Sequence, residues 1–318
     1  MCTDFRVPFI LSKMIYLKFN IAETETIVNL TQLRHFLILA QTLHFNRAAE
    51  LCHISPSTLS RCIQQLESEL GTQLFLRDNR SAELTPSGMR LVTFARETIQ
   101  QWDTLRDNIQ MNSTYLQGAL SLYCSVTASY SFLYEILTDF RRKHTQIEIK
   151  LHTGDPALAI ERVIAGHEDV AIAARQDTMP QEMDFKRIMY SPLVLIQPSD
   201  WIRSSVRDTQ EYWQSIPYIV SERGVARNRL DAWFRRHHIS PRIYAQVAGH
   251  EAIVSMVSLG LGVGLVPQIV LENSPLADKV KPHPIQLSLK PYEVGLCVLT
   301  KRLKSPIVRA FWEQIKES

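Results

Sequence analysis

Little in this chain provides for chemistry at a cofactor or a metal. Only five of its 318 residues are cysteine (2, 52, 62, 124 and 297), and no two of them form a C-x-x-C pair. Their odd number and scattered spacing argue against a disulfide framework and a structural zinc site, and suit a reducing cytoplasm. No window approaches the roughly 18 apolar residues that a membrane-spanning helix needs. The apolar stretch Val7 to Leu11 is broken by Ser12 and Lys13, with no small-residue cleavage site close behind, so a signal peptide is not expected. A Ser/His/Asp order, metal-ligand spacing and paired carboxylates are also missing. No catalytic residue, cofactor or metal site is therefore expected.

Charge of one sign is equally scarce. The whole chain carries a formal net charge of only +3, and residues 29–112 balance eight arginines against eight acids without a single lysine. Bulk electrostatics therefore gives no argument for a nucleic-acid partner. Any such binding must rest on where those arginines are placed.

What is present is order along the chain. A length of 318 residues with 45% apolar content implies two or three soluble units. Residues 1–28 share neither pattern nor composition with the rest of the chain. They are expected to be either a loose tail or non-native, with translation starting later, at Met14 or Val28. From Leu30 to Leu43, apolar residues recur at Leu33, Phe36, Leu37, Ala40 and Leu43, one buried helix face. Asn46 then reads as the cap of a short helix, Arg47 to Cys52. A polar break comes next, at His53 to Ser55.

The second helix of this pair opens with Ser55 as cap and Pro56 in its first turn, carries the apolar stripe Leu59, Ile63, Leu66 and Leu70, and stops at Gly71. This is a helix-turn-helix, with small hydroxyl residues where a recognition helix would enter a DNA major groove. Leu74 to Leu84 alternates around a polar tip and predicts a two-stranded wing.

Thr85 and Pro86 open a helix running to about Met111, with Val92, Ala95, Ile99, Trp102, Leu105 and Ile109 near heptad spacing. Such a stripe packs either against a twin in a dimer or on the chain's own next domain. Beyond 113–118 the pattern turns to strands alternating with helices. That predicts parallel sheets in an α/β fold of about 200 residues, as one large domain or two hinged ones.

The N-terminal third resembles the LysR-type transcriptional regulators. The likeness rests on Phe36 to Leu39, Phe45-x-Arg47-Ala48-Ala49, Leu59-Ser60-Arg61, Leu66-Glu67, Leu70-Gly71, Leu74-Phe75, Arg77 and Leu84-Thr85-x-x-Gly88. The resemblance implies an α+β multidomain protein. Its parts would be an all-α winged helix-turn-helix (29–85), a linker and dimerisation helix (86–112) and a two-lobed α/β, periplasmic-binding-protein-like effector domain (117–318). Lobe 1 would take about 117–192 and 293–318, and lobe 2 about 193–292. It further implies a DNA-binding activator, active as a homodimer or homotetramer, that meets an operator and RNA polymerase in the cytoplasm.

Geometry and resemblance together nominate Ser55, Ser57, Thr58 and Arg61 for DNA contact, with Arg77 and Arg80 on flanking phosphates. Each arginine has a plainer reading as a solvated surface charge. Many family members carry glutamine where this chain has Pro56, so that base contact does not carry over. For the effector, the strand ends nominate Ser125, Thr127, Ser129, Thr153, Asp155, Arg223, Arg227 and His250. The alternative is that the hydroxyls only cap a helix and His250 is a core residue.

Phrases such as SPSTLSR, WFRRHHIS and GHEAIVSMVSLGLGVGLVP resemble most closely the family's regulators of branched-chain amino acid synthesis. That likeness implies 2-acetolactate or 2-aceto-2-hydroxybutyrate as the effector. The alternative is another operon and a different small anion. Gly260, Gly262 and Gly264 run from helix into strand, the reverse of a phosphate loop, and read as close packing. Cys124 reads as a buried thiol rather than a nucleophile.

Overall fold

Asn29 starts the first helix because its side chain accepts the Gln32 amide while the Gln32 side chain accepts the Asn29 amide, a reciprocal cap. The structure, a computed structural model, describes residues 28–77, 82–110, 116–201 and 208–316. Expectations for residues 1–27 and for Arg80 lie outside these. The chain divides into two compact units, with the boundary between Gly88 and Met89.

In the first unit, α1 (Leu30–Thr42) buries Leu33, Phe36 and Leu39, while Leu43 turns out in a left-handed conformation (φ 50°). Helix α2 (Phe45–Leu51) is capped by His44, whose Nδ1 accepts the Arg47 amide. Asn46 is thus inside the helix and not its cap, because the left-handed Leu43 lets helical geometry resume two residues earlier. Helix α3 (Pro56–Leu70) begins at the Ser55 cap and ends at left-handed Gly71 (φ 63°). It buries Leu59, Ile63 and Leu66 and leaves Leu70 exposed at its last turn. Strands β1 (Phe75–Arg77) and β2 (Ala82–Leu84) pair antiparallel as the wing. Glu67 fastens α3 to the wing by accepting the Leu74 and Phe75 amides at 3.0 and 3.3 Å. Phe75 packs on Phe36 with ring centroids 5.5 Å apart. Helix α4 (Pro86–Gln110) comes next.

The second unit continues with β3 (Gln117–Cys124), α5 (Val126–Tyr130), α6 (Phe132–Lys143), β4 (Gln146–Thr153), α7 (Ala159–Ile164), β5 (Val170–Ala174) and β6 (Met183–Ser191). The chain then crosses at Pro192 into β7 (Leu193–Pro198), α8 (Gln210–Ser215), β8 (Pro217–Ser221), α9 (Val225–Arg236), β9 (Arg242–Val247), α10 (His250–Ser258), β10 (Val263–Pro267), α11 (Gln268–Glu272) and β11 (Val280–Pro282). It returns through β12 (Tyr292–Leu299) and ends with α12 (Pro306–Gln314).

Two five-stranded sheets result, ordered β4-β3-β5-β12-β6 and β11-β7-β10-β8-β9. The sheets are mixed rather than parallel. Strand β3 lies parallel to β4 and β5, and β8 to β9 and β10, but β12 runs antiparallel to both its neighbours, as β7 does to β10 and β11. A parallel neighbour needs a crossover helix on its own sheet, whereas a strand arriving from the other lobe does not. Strand β6 alternates only from Met183 to Lys186, too briefly to stand out; Arg187 then breaks the period, where the register against β12 shifts past Ile188. Phe140 and Phe311 meet edge to face at 5.0 Å in the first lobe. In the second, a Cβ on Gly264 would come within 2.3 Å of Ile253 Cγ2, so close packing accounts for this glycine.

Candidate functional site

The exposed face of α3 is built around one hydroxyl. Ser55 Oγ accepts the Thr58 amide at 3.1 Å and lies 2.9 Å from Ser57 Oγ and 2.8 Å from Thr58 Oγ1. Three hydroxyls are thereby held at the start of the helix, all exposed. Arg61 stands one turn on, exposed and without a partner among the described residues. Gln64 extends the same face and is equally unpaired among them. Its i+3 spacing from Arg61 is the sequence signal that places it there. Arg77 ends β1.

Helix α4 has two different sides. Arg96 donates to the Ala165 carbonyl (3.1 Å), Glu97 pairs with Lys301 (3.2 Å), and Thr104 accepts from Arg302 (3.0 Å). These polar contacts tie α4 to its own following domain, and of the expected stripe Ala95 is fully buried while Val92 and Ile99 are half-buried. The apolar residues Phe94, Trp102, Leu105 and Ile109 are 58%, 49%, 51% and 66% exposed.

Between the lobes lie two adjoining compartments with about 430 and 420 Å³ of free space, partly open to solvent. Asp155, Gln176, Ser221 and Arg223 line the first. Phe132, Ile172, Ile269, Val270 and Val294 make the second largely apolar. Pro156, Ala173, Ala174, His250 and Tyr292 belong to both. Of the sequence-nominated residues, Asp155, Arg223 and His250 border the first compartment, and Ser125, Thr127 and His250 the second.

Ser129, Thr153 and Arg227 border neither. Ser129 Oγ bonds back to the Val126 carbonyl at 2.6 Å, and Thr153 is exposed at the end of β4. Arg227 is held by Asp231 through Nε at 2.8 Å and by the Ser221 carbonyl at 2.9 Å, so it is not the cation of the cleft. Ser125 Oγ is committed to the Ala128 amide as a helix cap. Cys124 is fully buried, and burial pushes its thiol up to about 12, which leaves it inert.

Tyr292 carries no signal in the sequence, and Glu251 only its place in Gly249-His250-Glu251 at a strand end. Glu251, in the first turn of α10, reaches across the cleft and accepts from the Thr127 amide at 2.9 Å and the Thr127 hydroxyl at 2.5 Å. Both donors expected to serve an effector are thus occupied by the protein's own carboxylate. Burial pushes the Glu251 carboxyl upward, but the Thr127 hydroxyl and amide outweigh it and hold it below its ordinary value. The clasp is therefore at full strength above the ordinary carboxylate range and is lost as pH falls through the depressed folded value. A hydrogen bond to a charged group is worth about 1.5–3 kcal/mol. Glu251→Ala should accordingly speed hydrogen exchange at the Thr127 amide by roughly ten- to a hundredfold; unchanged protection would show that the clasp does not hold the lobes.

Comparison with known proteins accords with this architecture. The model for the LysR substrate binding domain matches residues 113–318, and that for the bacterial regulatory helix-turn-helix protein, lysR family, matches residues 30–89. The chain belongs to the LysR family of transcriptional regulators. Within that family it is 45% identical over 291 residues to the HTH-type transcriptional activator IlvY of Salmonella typhimurium, an alignment covering 90% of this chain and 99% of that protein. IlvY of Haemophilus influenzae is 40% identical over 289 residues, again 90% of this chain and 99% of the relative. Full-length OxyR from Pseudomonas aeruginosa shares the fold, with a TM-score of 0.65 at 22% identity over 91% of this chain and 95% of that one.

Proposed function

We propose that this protein activates the gene for acetohydroxy acid isomeroreductase, in isoleucine and valine synthesis, when 2-acetolactate or 2-aceto-2-hydroxybutyrate occupies the cleft. The observation that carries the reading is the 45% identity to IlvY across 99% of that protein's length, which spans both the reading helix and the cleft. The protein acts by binding and not by catalysis, in the cytoplasm where its operator and RNA polymerase are.

Ser55, Ser57, Thr58 and Arg61 meet the operator, with Arg77 and Arg80 on neighbouring phosphates. The Arg61 guanidinium, unpaired among the described residues, suits a guanine edge, and clustered hydroxyls suit phosphates. Asp155, Arg223 and His250 face the effector. The exposed stripe from Phe94 to Ile109 extends over roughly 22 Å of helix at 1.5 Å per residue. It supports pairing with a second copy, since an apolar face of that length is poorly suited to water.

Footprinting on DNA upstream of the isomeroreductase gene, together with thermal shift in the presence of each acid, tests the reading. Protection of that DNA with no response to either acid would overturn the effector assignment and leave the DNA-binding role. Arg61→Ala should weaken specific operator binding by about 1–3 kcal/mol while non-specific binding changes less. Unchanged operator affinity would remove Arg61 from the reading face.

A further inference from the structure

Three polar side chains at the cleft lack a hydrogen-bond partner among the described residues. Ser221, His250 and Tyr292 are 9%, 6% and 8% exposed, and none of their side chains makes a hydrogen bond there. Their polar atoms are not among the solvent-excluded unpaired atoms of the described residues, so they open onto the cleft, where water or a ligand can satisfy them. All three border the first compartment, and His250 and Tyr292 stand where it meets the second. Their rings meet edge to face at 5.7 Å, which fixes both orientations. Arg223 is the cation beside them. Its nearest carboxylate is Asp155, at 3.6 Å from Nε, which leaves the terminal nitrogens of the guanidinium available. Beyond His250 and Tyr292 the lining turns apolar.

The geometry points to an effector read in two parts, an inference that rests on the acetohydroxy acid reading of the cleft. The carboxylate lies on Arg223 and Ser221, the hydroxyl and keto oxygens lie on His250 and Tyr292, and the 2-alkyl group enters the apolar compartment beside Ile269. Each group matches its place. A guanidinium favours a carboxylate. A neutral imidazole offers one donor and one acceptor, and a phenol can donate to a ketone. Burial lowers the His250 pKa and so favours that neutral ring. The wall formed by Ile269, Val270 and Val294 then measures the alkyl group, and this sets the preference between a methyl and an ethyl substituent.

The test is calorimetric titration of the full-length protein with 2-acetolactate and 2-aceto-2-hydroxybutyrate, which differ by one methylene. Tyr292→Phe removes a hydroxyl that bonds no described residue in the ligand-free protein. It should weaken both acids by roughly three- to tenfold, with no fall in the ligand-free melting temperature. A residue serving only the core would show the reverse, a lower melting temperature at unchanged affinity. Ile269→Val, which trims one carbon from the wall, should move the affinity ratio toward the ethyl compound by roughly fourfold. Should the wild type bind both acids while Tyr292→Phe leaves affinity intact, or Ile269→Val leaves the ratio intact, the two-part reading fails and the effector assignment stands. Binding of neither acid by the wild type would overturn the assignment and this inference with it.

Discussion

Replacing Arg162 with methionine should destabilise the effector domain by about 3–5 kcal/mol, the range for leaving one member of a buried ion pair uncompensated. The Glu168 side chain is wholly buried. Its carboxylate accepts from Arg162 at 2.7 Å and has His152 Nδ1 within 3.0 Å. The same guanidinium lies over the Tyr123 ring, 4.8 Å from its centre. Methionine keeps much of the volume but removes the charge. Burying both partners as neutral groups is far less harmful than stranding one, so Arg162→Met combined with Glu168→Gln should recover most of the loss.

Urea unfolding of the single and double variants measures this, and a single variant no less stable than the double would refute the assignment. The change also has a spectroscopic signature. Burial, then Arg96, then Arg162 lower His167 from 6.5 to about 4. Folding therefore favours the neutral ring, and this contribution is complete above pH 6.5 and declines as pH falls toward 4. Without Arg162, His167 should titrate nearer its ordinary value.

Gly88→Ala should have the largest effect in the DNA-binding unit. A Cβ at this position would lie 2.2 Å from the Leu74 carbonyl oxygen and 2.8 Å from Leu84 Cδ2. That oxygen is not free to move. It accepts the Thr85 amide at 3.0 Å and the Thr85 hydroxyl at 3.2 Å, while Thr85 Oγ1 accepts the Gly88 amide at 3.0 Å. Relieving the clash means separating the wing from the start of α4 and breaking this cluster. Overpacking of this kind costs about 1–3 kcal/mol where flexible side chains yield; a rigid backbone oxygen places the variant at or above that range. Operator affinity should fall with the wing's position. Hydrogen exchange across 28–88 and footprinting provide the two measurements, and unchanged values in both would show that the junction tolerates a side chain. Gly71 differs in kind. Its constraint is a left-handed φ of 63°, with nothing within 4 Å of an added Cβ.

The reading helix is legible in the sequence because its signals are local. Ser55, Pro56 and Gly71 mark its ends by capping and backbone preference, and Leu59, Ile63 and Leu66 mark its buried face by period. The start of α2 is not legible in the same way. Asn46 is a good cap by type, but the decisive event is the left-handed Leu43, and a leucine carries no sequence mark for that conformation. Alternation of strands and helices likewise overstates parallel pairing, since strand direction here depends on which lobe a strand arrives from. In the cleft, residue type nominates Ser125, Thr127 and Arg227, yet Ser125 and Arg227 are spent on local partners and Thr127 on Glu251 across the cleft.

Sequence by itself thus determined most of the elements, the helix-turn-helix face and the family. All of these rest on period, capping and short spacings within single elements. Tertiary structure decided that Glu251 closes on Thr127, that Arg223 rather than Arg227 faces the cleft, and that Ser221, His250 and Tyr292 converge without partners among the described residues. Those outcomes depend on groups brought together from distant parts of the chain and on which donors are already satisfied. Hydrogen-bond satisfaction is a property of the folded assembly of elements, and no local pattern encodes it.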